Sequence, residues 1–403
     1  MKNEVFWKNP DYKVRKELKE DTSCDYLIVG GGVTGVSAAY FLAKAGAKNI
    51  IVVEKQQIGS GATGKAAGTL VTRGETDLTE LIAKYGEKEA LSLWQEIHRA
   101  LREIQKVIDE EKIDCDAELQ DTLMCGFKGK NWHNLVEEYE AERRIEGTTK
   151  FLEKDDLKKE INSPLFTHGV LSKDHALSVN PLKFIQGFSE VIERYGVTVY
   201  EQTAVLRTDG DLAETEHGKI RYKKIIWATD VAYPQKDIKN LKTTIIVTRT
   251  LTADELVQIG FGERKKVVWD SRKNENYFKM TKDGRLLVGF GGIIVGKSHK
   301  MTDPHLPHIT QLKNFIRKVF PYLNLEIEYA WSGHFGVHTH YSEGPLVTYE
   351  GDAAAIAGAG SQVVCFLSAE QVVKKLLENT PSRGRSPYRL PAYGRKWWLA
   401  QEI

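Results

Sequence analysis

Three glycines and one acid are the residues of this chain whose spacing could do chemistry. Cys24-Asp25-Tyr26-Leu27-Ile28-Val29 is an apolar strand-type run that breaks into Gly30-Gly31-Gly32-Val33-Thr34-Gly35 and then enters an Ala-rich helical pattern. In a strand–turn–helix context Gly30 makes the tight turn, Gly32 lets the backbone approach a pyrophosphate, and Gly35 lets the helix press on the strand. Phosphate would then sit at the helix N-terminus beside Val33 and Thr34, where unpaired N–H groups and the helix dipole favour negative charge. Glycine-rich spacing alone also occurs in ordinary turns. The context adds to it here: a second apolar run, Ile50-Ile51-Val52-Val53, ends in Glu54, positioned to accept hydrogen bonds from ribose hydroxyls, with Lys55 after it. Next comes Gly59-Ser60-Gly61-Ala62-Thr63-Gly64-Lys65-Ala66-Ala67-Gly68, a density of small residues that suits backbone passing close to an extended ligand, or a plain surface loop.

The rest of the chain must position these residues. At 403 residues it can bury a large core, and its length suggests two domains or one elaborated α/β unit. A net charge of +2 argues for no particular polyanion, so no nucleic-acid partner is expected. Cys24, Cys115, Cys125 and Cys365 have no zinc or CxxC spacing and read as free thiols of a reducing, cytoplasmic compartment. The Lys- and Glu-rich stretch 1–21 has no apolar core of a signal peptide, and no apolar run is long enough for a membrane span.

Hydrophobic periodicity predicts a long helix over 78–113, a strand over 117–127, a charged helix over 132–146 and a helix over 182–195 opened by Asn180-Pro181. Lys224-Ile225-Ile226-Trp227-Ala228-Thr229 reads as a return to the nucleotide-binding sheet. Segments 243–249, 266–269, 277–280 and 286–290 read as an antiparallel sheet, and 353–360 followed by the helix 361–377 as a second return. The expected partition is an N-terminal arm (1–20), a discontinuous nucleotide-binding domain (21–75, 160–230 and 331–380), a substrate domain (76–159 and 231–330), and a tail (381–403). That tail interleaves Arg383, Arg385, Arg389 and Arg395 with Tyr388, Tyr393, Trp397 and Trp398, and is expected to pack against the body.

Taken together, the opening Asp25–Gly35 motif, Ser60–Lys65, Tyr85-Gly86-Glu87-Lys88-Glu89-Ala90, Asn180-Pro181-Leu182, Asp283–Gly289 and Trp331-Ser332-Gly333 resemble the D-amino-acid oxidase-like FAD-dependent oxidoreductases. The γ-glutamylputrescine oxidase and glycine/sarcosine oxidase branches are the most similar. The resemblance spans about 24–377. It implies an α/β architecture in which a Rossmann-like FAD-binding domain is interleaved with an α+β substrate domain containing an antiparallel sheet. It further implies FAD held without a covalent bond. Gly30, Gly32, Gly35 and Glu54 would hold the adenosine half, with Val205 at the adenine. Ser60, Gly61, Ala62, Thr63, Gly64, Lys65 and Gly68 would lie along the ribityl and ring path. Ala228, Thr229, Gly333 and the late turn Gly358-Ala359-Gly360-Ser361-Gln362 would complete the site. Asp230 and Val363 stand where the family usually has glycine. The implied reaction is oxidation of a C–N bond of a small amine or amino acid, with hydride passing to flavin and water hydrolysing the imine. Oxidation of a hydroxy acid or polyol, or a flavin-bearing subunit without catalysis, are the alternatives, because fold does not settle chemistry.

Candidate catalytic groups are His334, His338, Tyr277, Lys279 and Arg249. In an extended chain His334, His338 and His340 share a face. A second ligand cluster is missing, so no metal site is expected; these histidines face flavin and substrate, or are structural. Tyr277 and Lys279 would face the ring from one strand or be ordinary sheet residues. Arg249 could pair with a substrate carboxylate through its two-pronged guanidinium.

Overall fold

The computed structural model describes residues 1–72, 77–128, 134–145, 147–232, 238–262, 264–272, 274–295, 305–338 and 345–378, with the backbone of 384–385. Among the described residues no helix is long and apolar enough to cross a membrane.

Two large sheets organise the chain. The first runs in the order Gly384–Arg385, Leu346–Glu350, Ala353–Ala357, Lys219–Trp227, Thr22–Val29, Ile50–Val53, Thr198–Tyr200. The last five of these are mutually parallel. Parallel strands are covered on both faces, which is why Ile50–Val53 and Leu27–Val29 are apolar without alternation. On one face lie the helices Val33–Lys44, Pro181–Arg194 and Gln362–Leu377. The small residues Ala38 and Ala39, both fully buried, let the first helix settle close to the sheet. Asn180 caps the second by accepting from the N–H groups of Leu182 and Lys183 at 3.2 Å, with Pro181 pre-set at the first turn. A hairpin, Arg207–Asp209 and Leu212–Glu214, joins this sheet by pairing antiparallel with Lys219–Arg221, and its Ala213 together with Leu18 of the N-terminal arm packs with the other face.

The second sheet runs Ile293–Val295, Ile238–Thr248, Leu286–Phe290, Asn276–Met280, Lys266–Asp270, Glu118–Gly126, His168–Ser178, Thr69–Val71. Ile327–His338 pairs along Ile238–Thr248, and Thr149–Glu153 along His168–Ser178. The sheet is antiparallel except where Lys266–Asp270 meets Glu118–Gly126 in parallel. Its back face, carrying Ile246, Val288, Phe278 and Val268, packs on the helix Leu306–Val319 through Ile309, Leu312, Phe315 and Ile316.

Several expected boundaries move. The helix expected over 78–113 is two, Leu78–Tyr85 and Glu87–Glu110, because Gly86 adopts φ 82° and breaks the ladder. The strand expected at 243–249 ends at Thr248, which leaves Arg249 beyond the sheet. His168–Ser178 and Ile327–His338, which the expected partition puts with the nucleotide-binding segments, hydrogen-bond into the second sheet; apolar periodicity marks a strand but not the sheet it joins. The basic, aromatic tail lies outside the described residues apart from the backbone of Gly384–Arg385, as do Trp132 and His340.

Candidate functional site: a cavity between the two sheets

One cavity of about 720 Å³ runs from the C-terminal ends of the parallel strands, at Val29, Val53, Trp227 and Ala357, to the front face of the second sheet. The ends of parallel strands are where α/β sheets place their ligands.

At the first end the glycines divide the work. A Cβ on Gly35 would lie 1.9 Å from the Gly30 carbonyl oxygen, and one on Gly30, at φ 116°, 2.4 Å from the Ala228 oxygen, so both permit protein packing. A Cβ on Gly32 would meet only the Thr63 hydroxyl, at 3.2 Å. Its space belongs to the cavity. Val33 and Thr34, at the start of the helix, line the same region, and the Val33 N–H donates to Thr63 Oγ1 at 3.1 Å. The Glu54 carboxylate accepts from the N–H groups of Gly31 (2.8 Å) and Gln56 (3.0 Å), which fixes it at the wall beside Lys55 and Val205.

In the middle, Ser60, Gly61, Ala62, Thr63 and Lys65 line the cavity. Gly64 and Gly68 do not. A Cβ on Gly64 would strike the Gly59 oxygen at 2.2 Å, and Gly68, at φ 68°, is pressed on Val179 and Pro181; their smallness serves packing. Three donors hold the backbone of this stretch from behind. Trp331 Nε1 donates to the Lys65 carbonyl and Trp7 Nε1 to the Ala66 carbonyl, each at 2.8 Å, while Lys279 Nζ donates to the Gly68 carbonyl. Burial and the neighbouring Lys55 lower the pKa of the Lys65 ammonium.

At the far end Gly333, Gly358, Gly360, Ser361 and Gln362 line the wall with Ala228 and Thr229. Asp230 has φ 50° and sends its carboxylate across to the N–H groups of Gly336 (2.8 Å) and Gly358 (3.4 Å). The residue standing in place of a glycine thus ties both returning strands together. Burial pushes its carboxyl upward against the pull of those donors. Val363 is fully buried in the first turn of the last helix.

The pleat decides which sheet residues meet the cavity. Thr243, Ile245 and Leu241 face it, and their partners across the strand pair are Gly333, Trp331 and Phe335. Tyr277 is on the same face: its ring lies across Gly289, where a Cβ would fall 2.3 Å from the hydroxyl. Thr243 donates to the Phe290 carbonyl at 2.7 Å and hydrogen-bonds the Tyr277 hydroxyl, whose pKa burial raises well above its usual value.

Three of the expected catalytic groups are elsewhere. His338 is 2% exposed and does not line the cavity. It shares the back face with His334: His338 stands opposite Ile238 and His334 opposite Lys242. His334 does line the cavity, but its Nδ1 lies 3.2 Å from Asn240 Oδ1 on that back face. Lys279 does share the face of Tyr277, one row deeper, where Trp7 of the N-terminal arm covers it. It is 1% exposed, donates also to Ser178 Oγ at 2.8 Å, and burial drives its pKa down to about 7. Arg249 grips Glu255 at 2.6 and 2.7 Å, outside the cavity, because Thr252 and Glu255 form the capping box of the helix Ala253–Ile259. That pairing lowers the Glu255 carboxyl to about 2. Conversely Trp269, Glu275 and Cys365 line the cavity without a sequence motif that singled them out, and so does Asp230, which the sequence marked only as standing in place of a glycine.

The sequence model of the FAD dependent oxidoreductases of the DAO type matches residues 25–366. The chain belongs to this family. It is 29% identical over 331 residues to the gamma-glutamylputrescine oxidoreductase of Escherichia coli (strain K12), covering 79% of this chain and 75% of that protein. It is 25% identical over 394 residues to the probable oxidoreductase OrdL of Haemophilus influenzae, covering 89% and 85%. The glycine oxidase from Geobacillus kaustophilus shares the fold, with a TM-score of 0.74 at 16% identity over 92% of this chain and 98% of that one.

The chain is therefore an FAD-dependent oxidoreductase, and its cavity fits the cofactor on its own evidence. Thr69 Oγ1, Thr229 Oγ1 and Gln362 Oε1 are buried at the wall with no hydrogen-bond partner, and the Gly32 position leaves open the space a Cβ would fill. Buried polar atoms without partners are costly, and an extended ligand rich in oxygen and nitrogen supplies them.

Proposed function

We propose that this protein oxidises the C–N bond of a small amine or amino acid. Bound FAD supplies the hydride acceptor. The observation that carries the reading is the neutral hydroxyl pair of Tyr277 and Thr243 on the sheet face, within the same cavity as the glycine cradle. An amine must lose its proton before hydride leaves the adjoining carbon, and a phenol kept neutral by burial hydrogen-bonds an uncharged nitrogen without stabilising its ammonium form. Ile245, which lines the cavity beside this pair, keeps water from the carbon. The relationship to an oxidoreductase named for γ-glutamylputrescine supports an amine over a hydroxy acid. Gly32, Val33, Thr34 and Glu54 would hold the adenosine and pyrophosphate. The Ser60–Lys65 stretch and the Gly358–Gln362 turn would hold the ring. The test is an anaerobic screen of amines, amino acids and hydroxy acids for bleaching of the flavin band. Bleaching by amines is expected; bleaching by hydroxy acids alone would overturn the reading.

A further inference from the structure

The stretch that lines the middle of the cavity has little structure of its own. Between Ile58 and Ala66 it carries Gly59, Gly61 and Gly64 and a single helical turn, Ala62–Lys65. One turn fixes several residues for few hydrogen bonds, and glycine adds conformational freedom, so the path of this backbone depends on what grips its ends. The N-terminal arm reaches both ends. Residues 3–21 belong to no helix or strand, yet Trp7 and Leu18 are buried.

At the leading end the hub is Glu201, fully buried just beyond the strand Thr198–Tyr200. Its carboxylate accepts from the Ile58 N–H at 2.6 Å, from the Tyr12 hydroxyl at 2.5 Å, and from the Arg15 N–H. A buried carboxylate is tolerated only when donors surround it, and two of these three come from the arm. The Ile58 carbonyl is reached by a relay: Gln186 Nε2 donates to it at 3.2 Å, and Asn9 Nδ2 donates to Gln186 Oε1 at 3.0 Å. At the trailing end Trp7 Nε1 donates to the Ala66 carbonyl at 2.8 Å. Lys2 anchors the arm to the second sheet, its N–H donating to the Glu328 carbonyl at 2.6 Å and its carbonyl accepting from the Ala330 N–H at 3.0 Å. The arm therefore runs from one sheet to the other and on its way closes on the terminal peptides of the cavity-lining stretch.

Resting on the proposed course of FAD along Ser60–Lys65, and independent of the substrate, we infer that the arm is a strap for the cofactor. Trp7 directly, and Tyr12 through Glu201, are positioning residues that hold the two ends of the 58–66 stretch, so that docking of the arm and binding of FAD strengthen one another. The physical reason is conformational entropy. Ordering an arm without regular structure is unfavourable, as is ordering the stretch, and once either the arm or FAD has fixed the stretch the other has less left to order. The coupling is reciprocal: the factor by which the docked arm raises FAD affinity is the factor by which FAD favours the docked arm.

Two measurements on the full chain test the strap. The first follows amide hydrogen exchange of residues 7–18 with and without saturating FAD, with the helix Leu306–Val319 on the back of the second sheet as reference. FAD is expected to slow exchange in the arm by about tenfold more than in that helix. Equal slowing of both would show global stabilisation alone and overturn the inference. The second compares FAD titrations of wild type, the double variant Trp7→Phe with Tyr12→Phe, and Arg249→Ala, which loosens the protein away from the cavity. The double variant, short of two hydrogen bonds, is expected to bind FAD about tenfold more weakly, with Arg249→Ala within twofold of wild type. Wild-type affinity in the double variant, or an equal loss in Arg249→Ala, would overturn the strap. Should the double variant fail to fold, Tyr12→Phe alone carries the same test, with a several-fold loss expected and an unchanged Kd refuting it. Gly32→Ala separates the strap from the cofactor site beneath it. If Gly32→Ala weakens FAD and the double variant does not, the strap falls and the site stands; if neither weakens FAD, both fall.

Discussion

Replacing Gly32 and Gly35 by alanine, one at a time, separates a cofactor cradle from a packing contact. Gly32 has φ −85° and ψ −178°, a conformation alanine adopts freely, and the new methyl meets only the Thr63 hydroxyl, at 3.2 Å. The protein itself should bear this with little loss: the slight crowding is offset by about 0.4–1 kcal/mol from the less flexible unfolded chain. FAD should not, because the methyl stands where the cofactor's phosphates would approach the backbone. A tenfold to hundredfold weaker Kd, equivalent to roughly 1.4–2.8 kcal/mol, is expected. At Gly35 the methyl would lie 1.9 Å from the Gly30 oxygen, so helix and strand must part, at a cost of about 1–3 kcal/mol or more to the protein whether or not FAD is present. The assay is thermal melting of each apoprotein together with FAD titration followed by flavin fluorescence. An apo melting point for Gly32→Ala near that of wild type, with weakened FAD, is the expected pattern, and Gly35→Ala should lose both. Should Gly32→Ala bind FAD within twofold of wild type, the reasoning that assigns its space to the cofactor is wrong.

Trp7→Phe keeps the ring against Lys279 but removes the donor to the Ala66 carbonyl, so apoprotein stability should fall by about 1 kcal/mol and FAD should bind several-fold more weakly; unchanged FAD affinity would limit Trp7 to core packing. Lys279, held at about 7 against roughly 10.4 in the unfolded chain, makes the unfolded state bind the extra proton between those values. Stability should therefore rise from pH 7 towards 10 by up to about 1.4 kcal/mol per pH unit and be lost as pH falls through 7, and Lys279→Met should flatten that slope in pH-dependent denaturation curves. Arg249→Ala should leave kcat/KM within twofold while lowering the melting point, since it breaks the Glu255 pair and touches no cavity residue; a large rise in KM would restore it as a substrate anchor. Acid precipitation should leave the pellet colourless and the FAD in solution, and a yellow pellet would show a covalent link, with Cys365 at the wall as the thiol to examine first.

Local chemistry was legible in the residues. The βαβ unit, the glycine turn and Glu54 are close in sequence, and their meaning depends only on backbone conformation over about 30 residues. Most of the expected cofactor residues accordingly stand around one cavity, and Gly35, Gly64 and Gly68, which do not, are glycines whose spacing cannot tell close approach to a ligand from close approach to protein. The catalytic candidates fared differently because each depends on a partner distant in sequence. Arg249 was read as available because nothing in a strand pattern reveals that a capping glutamate six residues on will take it. His334 and His338 share a face if the chain is extended, as it is here, yet parity alone cannot say which face of the sheet turns to the cavity. Lys279 faces the right way and is sealed by Trp7, a residue 272 positions earlier in an arm with no periodic signal. Sequence by itself determined the elements, the nucleotide-binding turn and the family, since these follow from short-range sterics and hydrophobic period. Tertiary structure alone decided which polar groups meet the cavity, because a side chain's availability is set by the long-range contacts that bury it, pair it or leave it exposed there.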